Sequence, residues 1–324
     1  MANQFPFAVS EAPTLQEAVS GAPLVTLVIV YALFVALAPD TFGRAVNLTT
    51  MLRQTVVVAI AAVGMTFVIV QGGIDLSVGS TVALTTVVVA WKLKHGSSAP
   101  AAVIVACLVA AACGLVNGLG ATALRITPFI VTLATMTILR GAAKGLANEQ
   151  KIDADTRGLD ALLTPPEHGL FPTGVWIAAA VAVLGAGMLH STRFGRHVFA
   201  IGSSEATARL CGVRVDRTKI LVYVLAGALA GLAGVMEFST LTVGDPTDSE
   251  GLELSVIAAV VVGGASLSGG EGSIGGALIG AFLMTVIKTG CTHLGIPNWV
   301  QHMLTGAIIL SAAALDRFRQ RGRT

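Results

Sequence analysis

Apolar residues run through this chain in ten blocks, each closed off by glycine, proline or charge. The blocks are Ala22–Ala38, Thr55–Val70, Asp75–Trp91, Ala99–Gly120, Pro128–Ala147, Gly174–Leu189, Ile220–Glu237, Leu252–Ala265, Ile274–Gly290 and Pro297–Leu315. Their spacing is neither the alternation of a half-buried strand nor the single stripe of a surface helix, so they read as bilayer-spanning helices. Several fall short of the roughly 20 residues a perpendicular span needs. That predicts helices shielded by neighbours or flanked by re-entrant turns. Composition agrees: 54% of the 324 residues are hydrophobic and 12% charged, where a soluble domain carries about 25% charged residues. The expected fold is an all-α polytopic membrane protein with about ten transmembrane helices.

Charge sets an expected orientation. The segment Ser191–Lys219 holds Arg193, Arg196, Arg209, Arg214, Arg217 and Lys219 against Glu205 and Asp216, and the tail adds Arg317, Arg319, Arg321 and Arg323. Both should face the cytoplasm. The segment Asn148–Thr173 is acidic, with Glu149, Asp153, Asp155, Asp160 and Glu167, and should face outward. Counting from these anchors places both termini inside and puts Trp91, Trp176 and Trp299 at the outer interface, where indole rings prefer to sit. The division is then a cytoplasmic segment over 1–21, a transmembrane domain over 22–315 with a basic loop at about 191–219, and a basic tail over 316–324. Residues 1–21 lack the basic start of a signal peptide, so the first span is expected to be retained. A net charge of +2 gives no case for nucleic-acid binding.

Glycine is abundant, and Gly114–Gly118, Gly227–Gly231 and Gly276–Gly280 are each four apart inside apolar blocks. Such spacing lets helix backbones approach closely, within one protomer or between two. Gly270, Gly272 and Gly275 match a dinucleotide fingerprint, but no strand precedes them. A short flexible cytoplasmic turn is the better reading.

Enzyme chemistry is missing. There is no phosphate-binding G-x-x-x-x-G-K-[ST] loop, and Gly264-Ala-Ser266-Leu-Ser268 misses a nucleophile elbow at its last place. The histidines are dispersed and Cys107, Cys113, Cys211 and Cys291 form no metal or disulfide pattern. Arg140 and Lys144 can snorkel from the fifth span, and Glu237, Glu253 and Lys288 read as interfacial anchors. Asp75, between Gly72, Gly73 and Gly79, is placed to cap the helix starting there. No deep carboxylate pair is available to couple an ion gradient.

Specific strings add more. The run Gly64–Ser80 (GMTFVIVQGGIDLSVGS), the run Gly195–Gly212 (GRHVFAIGSSEATARLCG), Tyr223–Gly234 and Glu253–Gly276 closely resemble the motifs of ribose-type ABC importer permeases, in order, from about Val46 to Asp316. The resemblance implies an ABC importer permease fold of ten helices in the bacterial inner membrane. It implies a homodimer of permeases, an ATPase subunit with two nucleotide-binding domains, and a periplasmic sugar-binding protein. ATP and Mg would sit on the ATPase, and this chain would bind no cofactor. The function expected is import of a monosaccharide or sugar-like solute. Alternatives are a nucleoside or branched-chain amino-acid ABC permease, or an ion-coupled secondary carrier.

The coupling loop can also be read from its residues. Ser203 or Ser204 is a good N-cap, Glu205 suits the first turn, and Ala206 and Ala208 favour helix. Gly212 can end the helix in the left-handed conformation. A two-turn helix over Ser204–Cys211 is expected, with Glu205 and Arg209 as i, i+4 partners. The resemblance makes it an ATPase-coupling helix whose residues are Ser204, Glu205, Ala206, Thr207, Arg209 and Gly212. For the translocation path, polar positions in the second, third and fifth spans are candidates: Thr66, Gln71, Asp75, Thr132 and Thr135. A buried threonine can also simply bond its own helix backbone.

Overall fold

The computed structural model describes residues 21–165 and 171–321. They form helices α1 (Gly21–Leu37), α2 (Ala45–Val70), α3 (Val78–Lys94), α4 (Ala99–Thr122), α5 (Pro128–Leu146), α6 (Thr173–Ser191), α7 (Arg193–Ser203), α8 (Glu205–Leu210), α9 (Val215–Leu241), α10 (Leu252–Val262), α11 (Ile274–His293) and α12 (Asn298–Arg321). Each of the ten apolar blocks is a helix, and α7 and α8 lie in the basic segment between the sixth and seventh blocks. Six helices, α2, α4, α5, α6, α9 and α11, are long and apolar enough to cross a membrane, while α1 and α10 are shorter apolar helices.

Several expected boundaries move. The helix α2 starts at Ala45, ten residues before Thr55, because the polar side chains of its first turns find partners. Asn47 donates to Phe42 O, Thr49 and Thr50 to carbonyls one turn back, and Gln54 accepts from Thr289. The third helix starts at Val78 rather than Asp75. The C-terminal helix runs to Arg321, so residues from Asp316 continue α12, and the Asp316 carboxylate accepts from Ser266 Oγ and the Leu267 N–H. Residues 1–20, most of the expected N-terminal segment, lie outside the described residues, as do residues 166–170, which include Glu167 of the acidic segment.

Helix α2 is the central post. In its most apolar window 83% of residues are buried, against 22% in α4, α5 and α6. A helix apolar all round belongs inside, and the outer three present apolar faces to lipid. The glycine pairs pack within the chain. A side chain at Gly227 would strike Ala110 O and the Gly114 backbone, and one at Gly114 would strike Tyr223 O. The backbones of α4 and α9 therefore touch along a seam that only glycine allows. Gly276 and Gly280 pack likewise on Gly263 and Ala259 of α10.

Connections collect at two ends. At one lie the α2–α3, α4–α5 and α10–α11 turns with α7 and α8. The Gly270 N–H donates to Val70 O at 2.8 Å, and a side chain at Gly202 would collide with both residues. The short turn expected between α10 and α11 is thus packed backbone on backbone against the end of α2 and the last turn of α7. At the other end β1 (Ile152–Asp153) pairs antiparallel with β2 (Val243–Gly244), Ile152 opposite Gly244. Arg157 donates to the carbonyls of Gly96 and Ser97 at 3.2 and 2.6 Å. Trp91, Trp176 and Trp299 sit at helix ends on this same side.

Candidate functional site

Two groups of polar residues stand out, one inside the bundle and one on the surface, both near the end that carries α7 and α8. The inner group surrounds the break between α2 and α3. Asp75 Oδ1 accepts from the Ser77 N–H at 2.8 Å and from Ser77 Oγ at 2.6 Å. It closes a local turn before the helix rather than capping the helix itself, which corrects the expected role: Ser77 occupies the N-cap position and Asp75 fixes Ser77. Asn117 of α4 then donates to Ser77 Oγ at 2.8 Å and accepts from Thr135 of α5 at 2.6 Å. Thr132, one turn before Thr135, donates to Ile74 O at 3.1 Å. Asp75, Ser77, Asn117, Thr132 and Thr135 are all buried.

Three of the five path candidates, Asp75, Thr132 and Thr135, thus share one hydrogen-bonded seam joining the α2–α3 break to α4 and α5. Gln71 lies in the same break, its Oε1 buried with no hydrogen-bond partner. Thr66 stands apart and donates to Ala62 O, one turn back. Sequence reasoning missed Ser77 and Asn117, which hold the seam together. An amide in the middle of an apolar helix was the available signal, because such a group must find a partner in a dry interior. Tyr223 of α9 was missed too; it is buried, with its hydroxyl against Gly73 and unpaired.

The surface group is built on α8. The Ser204 side chain accepts from the Thr207 N–H at 3.3 Å, and Gly212 follows with φ +84. Both caps are the predicted ones, and the helix, Glu205–Leu210, matches the predicted turns. Glu205 accepts from Arg209 at 3.2 Å and from Lys219 at 2.6 Å, and Arg209 also meets Asp216 at 2.9 Å. Lys219 and Asp216 belong to α9, so the network ties α8 to the foot of that helix. The bond from Lys219, with Arg209 adding, holds the Glu205 carboxyl below the usual range despite partial burial. Beside the network is a cleft of about 620 Å³, lined by Glu205, Arg209, Asp216 and Lys219 on one side and by Ala121, Thr122 and the residues from Arg125 to Pro128 on the other.

The opposite end has its own ties. Arg140 donates to the carbonyls of Pro246 and Asp248 at 3.0 and 2.6 Å, so it holds the α9–α10 loop instead of reaching out to water as expected. Lys151 meets Asp245 at 3.0 Å. Burial pushes the Asp245 carboxyl up, but bonds from Thr247 and Lys151 outweigh it and the net shift is downward. Among the described residues no group of three or more His, Cys, Asp or Glu could hold a metal ion.

Helices closed on a central apolar post, a buried polar seam and a charged surface helix define a polytopic membrane protein. Residues 47–313 match the family described as branched-chain amino acid transport system / permease component, and the chain belongs to that family. Over 303 residues it is 41% identical to the ribose import permease protein of Escherichia coli K12, covering 92% of this chain and 93% of the relative. The ribose import permease protein of Bacillus subtilis 168 is 37% identical over 293 residues, 88% and 89% of the two chains. The L-arabinose transport system permease protein of E. coli K12 is 35% identical over 299 residues, 92% and 91%. No solved structure matches. The chain is accordingly a permease, a non-catalytic transport subunit.

Proposed function

We propose that this chain is the transmembrane subunit of an ATP-driven importer of a monosaccharide or sugar-like solute. In this reading the chain crosses the membrane ten times, with both termini and α8 in the cytoplasm. Two copies assemble with an ATPase subunit bearing two nucleotide-binding domains, and a periplasmic sugar-binding protein delivers the solute from outside. The observation that carries this reading is α8 itself: a capped, exposed helix salt-bridged to α9, at the end rich in arginine, in a chain that holds no phosphate-binding loop of its own. The family's description leaves amino acids open as a second reading, whereas the relatives named above are ribose and L-arabinose permeases.

In the cycle, closure of the ATPase domains displaces α8, and α9 carries the displacement along its glycine seam to α4. Asn117 of α4 bonds Ser77, so the break at Gln71–Ser77 moves with it. The solute path passes that break, with Gln71, Asp75, Thr132 and Thr135 on its wall and Thr66 deeper along α2. Specificity can reside in the binding protein, so the path needs only weak polar contact with solute.

The test is purification of the tagged chain in mild detergent, followed by identification of the ATPase and the binding protein. The recovered binding protein is then titrated with ribose, L-arabinose and leucine. A sugar bound in preference to leucine, with a tandem ATPase in the complex, is the expected result. Uptake that survives ATP depletion and stops with a protonophore would establish an ion-coupled carrier instead.

A further inference from the structure

Helix α8 presents two kinds of surface, and they point to separate tasks. At about 100° per residue, Ala206 and Leu210 project opposite to Ala208. Ala208 is buried against Ile201 and Val215 and pins α8 to the protein. Leu210, directly opposite, is 89% exposed, more than any other large hydrophobic side chain among the described residues. The charged residues beside it are already occupied. Glu205 is held by Arg209 and Lys219, and Arg209 is shared with Asp216.

We propose that Leu210, with Ala206, is the anchor by which α8 enters an apolar pocket on the ATPase, while Glu205, Arg209, Asp216 and Lys219 are an internal clamp that touches the partner little. The inference rests on the proposed function and divides its coupling helix into an anchor and a clamp. A single leucine ringed by charges of both signs matches the apolar centre and polar rim of a protein interface. The clamp keeps the anchor at a fixed height and angle on α9, so that motion at the pocket becomes motion of α9 rather than bending of the α8 linkers.

The experiment uses the full permease in nanodiscs and the ATPase identified by the purification above, with affinity and ATP hydrolysed per solute imported both measured. Four variants are compared. Leu210→Glu weakens ATPase binding about ten- to a hundredfold, the equivalent of burying one leucine, and Leu210→Met stays within about threefold. Complete reversal of the clamp (Glu205→Lys, Arg209→Glu, Asp216→Lys, Lys219→Glu) keeps every internal pair and leaves affinity within about threefold. Glu205→Lys alone breaks two pairs and raises the ATP spent per solute while leaving affinity largely intact. Loss of binding on complete reversal, with unaltered size-exclusion behaviour, would overturn the division, because the charges would then meet the partner directly. A control, Ala206→Trp, separates this failure from failure of the coupling-helix reading. If it weakens binding and Leu210→Glu does not, α8 docks without the anchor; if neither does, α8 is not the docking helix.

Discussion

The two ends of the bundle are both tied down, but in opposite ways. At the α8 end the ties that matter run between elements that must move together. Gly202 of α7, Val70 at the end of α2 and Gly270 of the α10–α11 turn meet backbone to backbone, and four charges bind α8 to α9. At the opposite end a two-residue strand pairing, Ile152 with Gly244, is joined by long side chains that reach across to loop carbonyls: Arg140 to Pro246 and Asp248, Arg157 to Gly96 and Ser97. Backbone-on-backbone contact transmits force with little give, whereas a long side chain on a carbonyl can release and re-form. In the proposed function one end receives the mechanical input and the other opens toward the solute.

The strongest way to break the comparison is to pry apart the seam joining the ends. Gly227→Leu drives a side chain into Ala110 O and Gly114 of α4 and should cost about 1–3 kcal/mol or more through overpacking. A lowered detergent melting temperature together with lost transport is expected. Next, Asn117→Leu severs the seam at the α2–α3 break and leaves the Ser77 and Thr135 hydroxyls with fewer partners, at about 1–3 kcal/mol. Faster amide exchange over 71–77, with 243–250 unchanged, would show that the effect stays at the α8 end. Arg140→Ala is its mirror image. It frees two carbonyls at about 1–2 kcal/mol, so exchange should rise over 243–250 and stay constant in α8.

The smallest effect sharpens the picture through pH. Because the Glu205 carboxyl is held below its ordinary value, the clamp contributes fully above the unfolded value of about 4.3. It is lost as pH falls through the lower folded value. Exchange of α8 amides, corrected for intrinsic rates, should be flat from pH 5 to 8 and rise about threefold or less under more acid conditions, since the pair is half exposed.

Much of this was legible in the residues, and the parts that were not have physical reasons. Apolar blocks declared ten helices because burial and lipid both demand continuous hydrophobicity. The α8 helix was legible because caps are local: a serine, a glutamate and a glycine at the right offsets need no tertiary contact. The first turns of α2 were hidden because Asn47, Thr49, Thr50 and Gln54 look like loop residues until their partners, some more than 200 positions away, are known. Helix α7 was missed because its eleven residues mix arginine and glycine, and its glycines serve packing on Leu189 and Val70 rather than a turn. The inner seam was half visible. Asp75, Thr132 and Thr135 drew attention as polar groups in apolar blocks, but only the fold shows that Asn117 and Ser77 connect them.

The account turns on α8 lying in the cytoplasm and under the ATPase, and Cys211, exposed one residue beyond it, reports on both. With Cys107, Cys113 and Cys291 replaced by alanine, a membrane-impermeant maleimide is applied to sealed vesicles of each orientation, with and without the purified ATPase. Labelling of Cys211 in inside-out vesicles alone, slowed when the ATPase is added, is the predicted result; labelling from the outside face would contradict it.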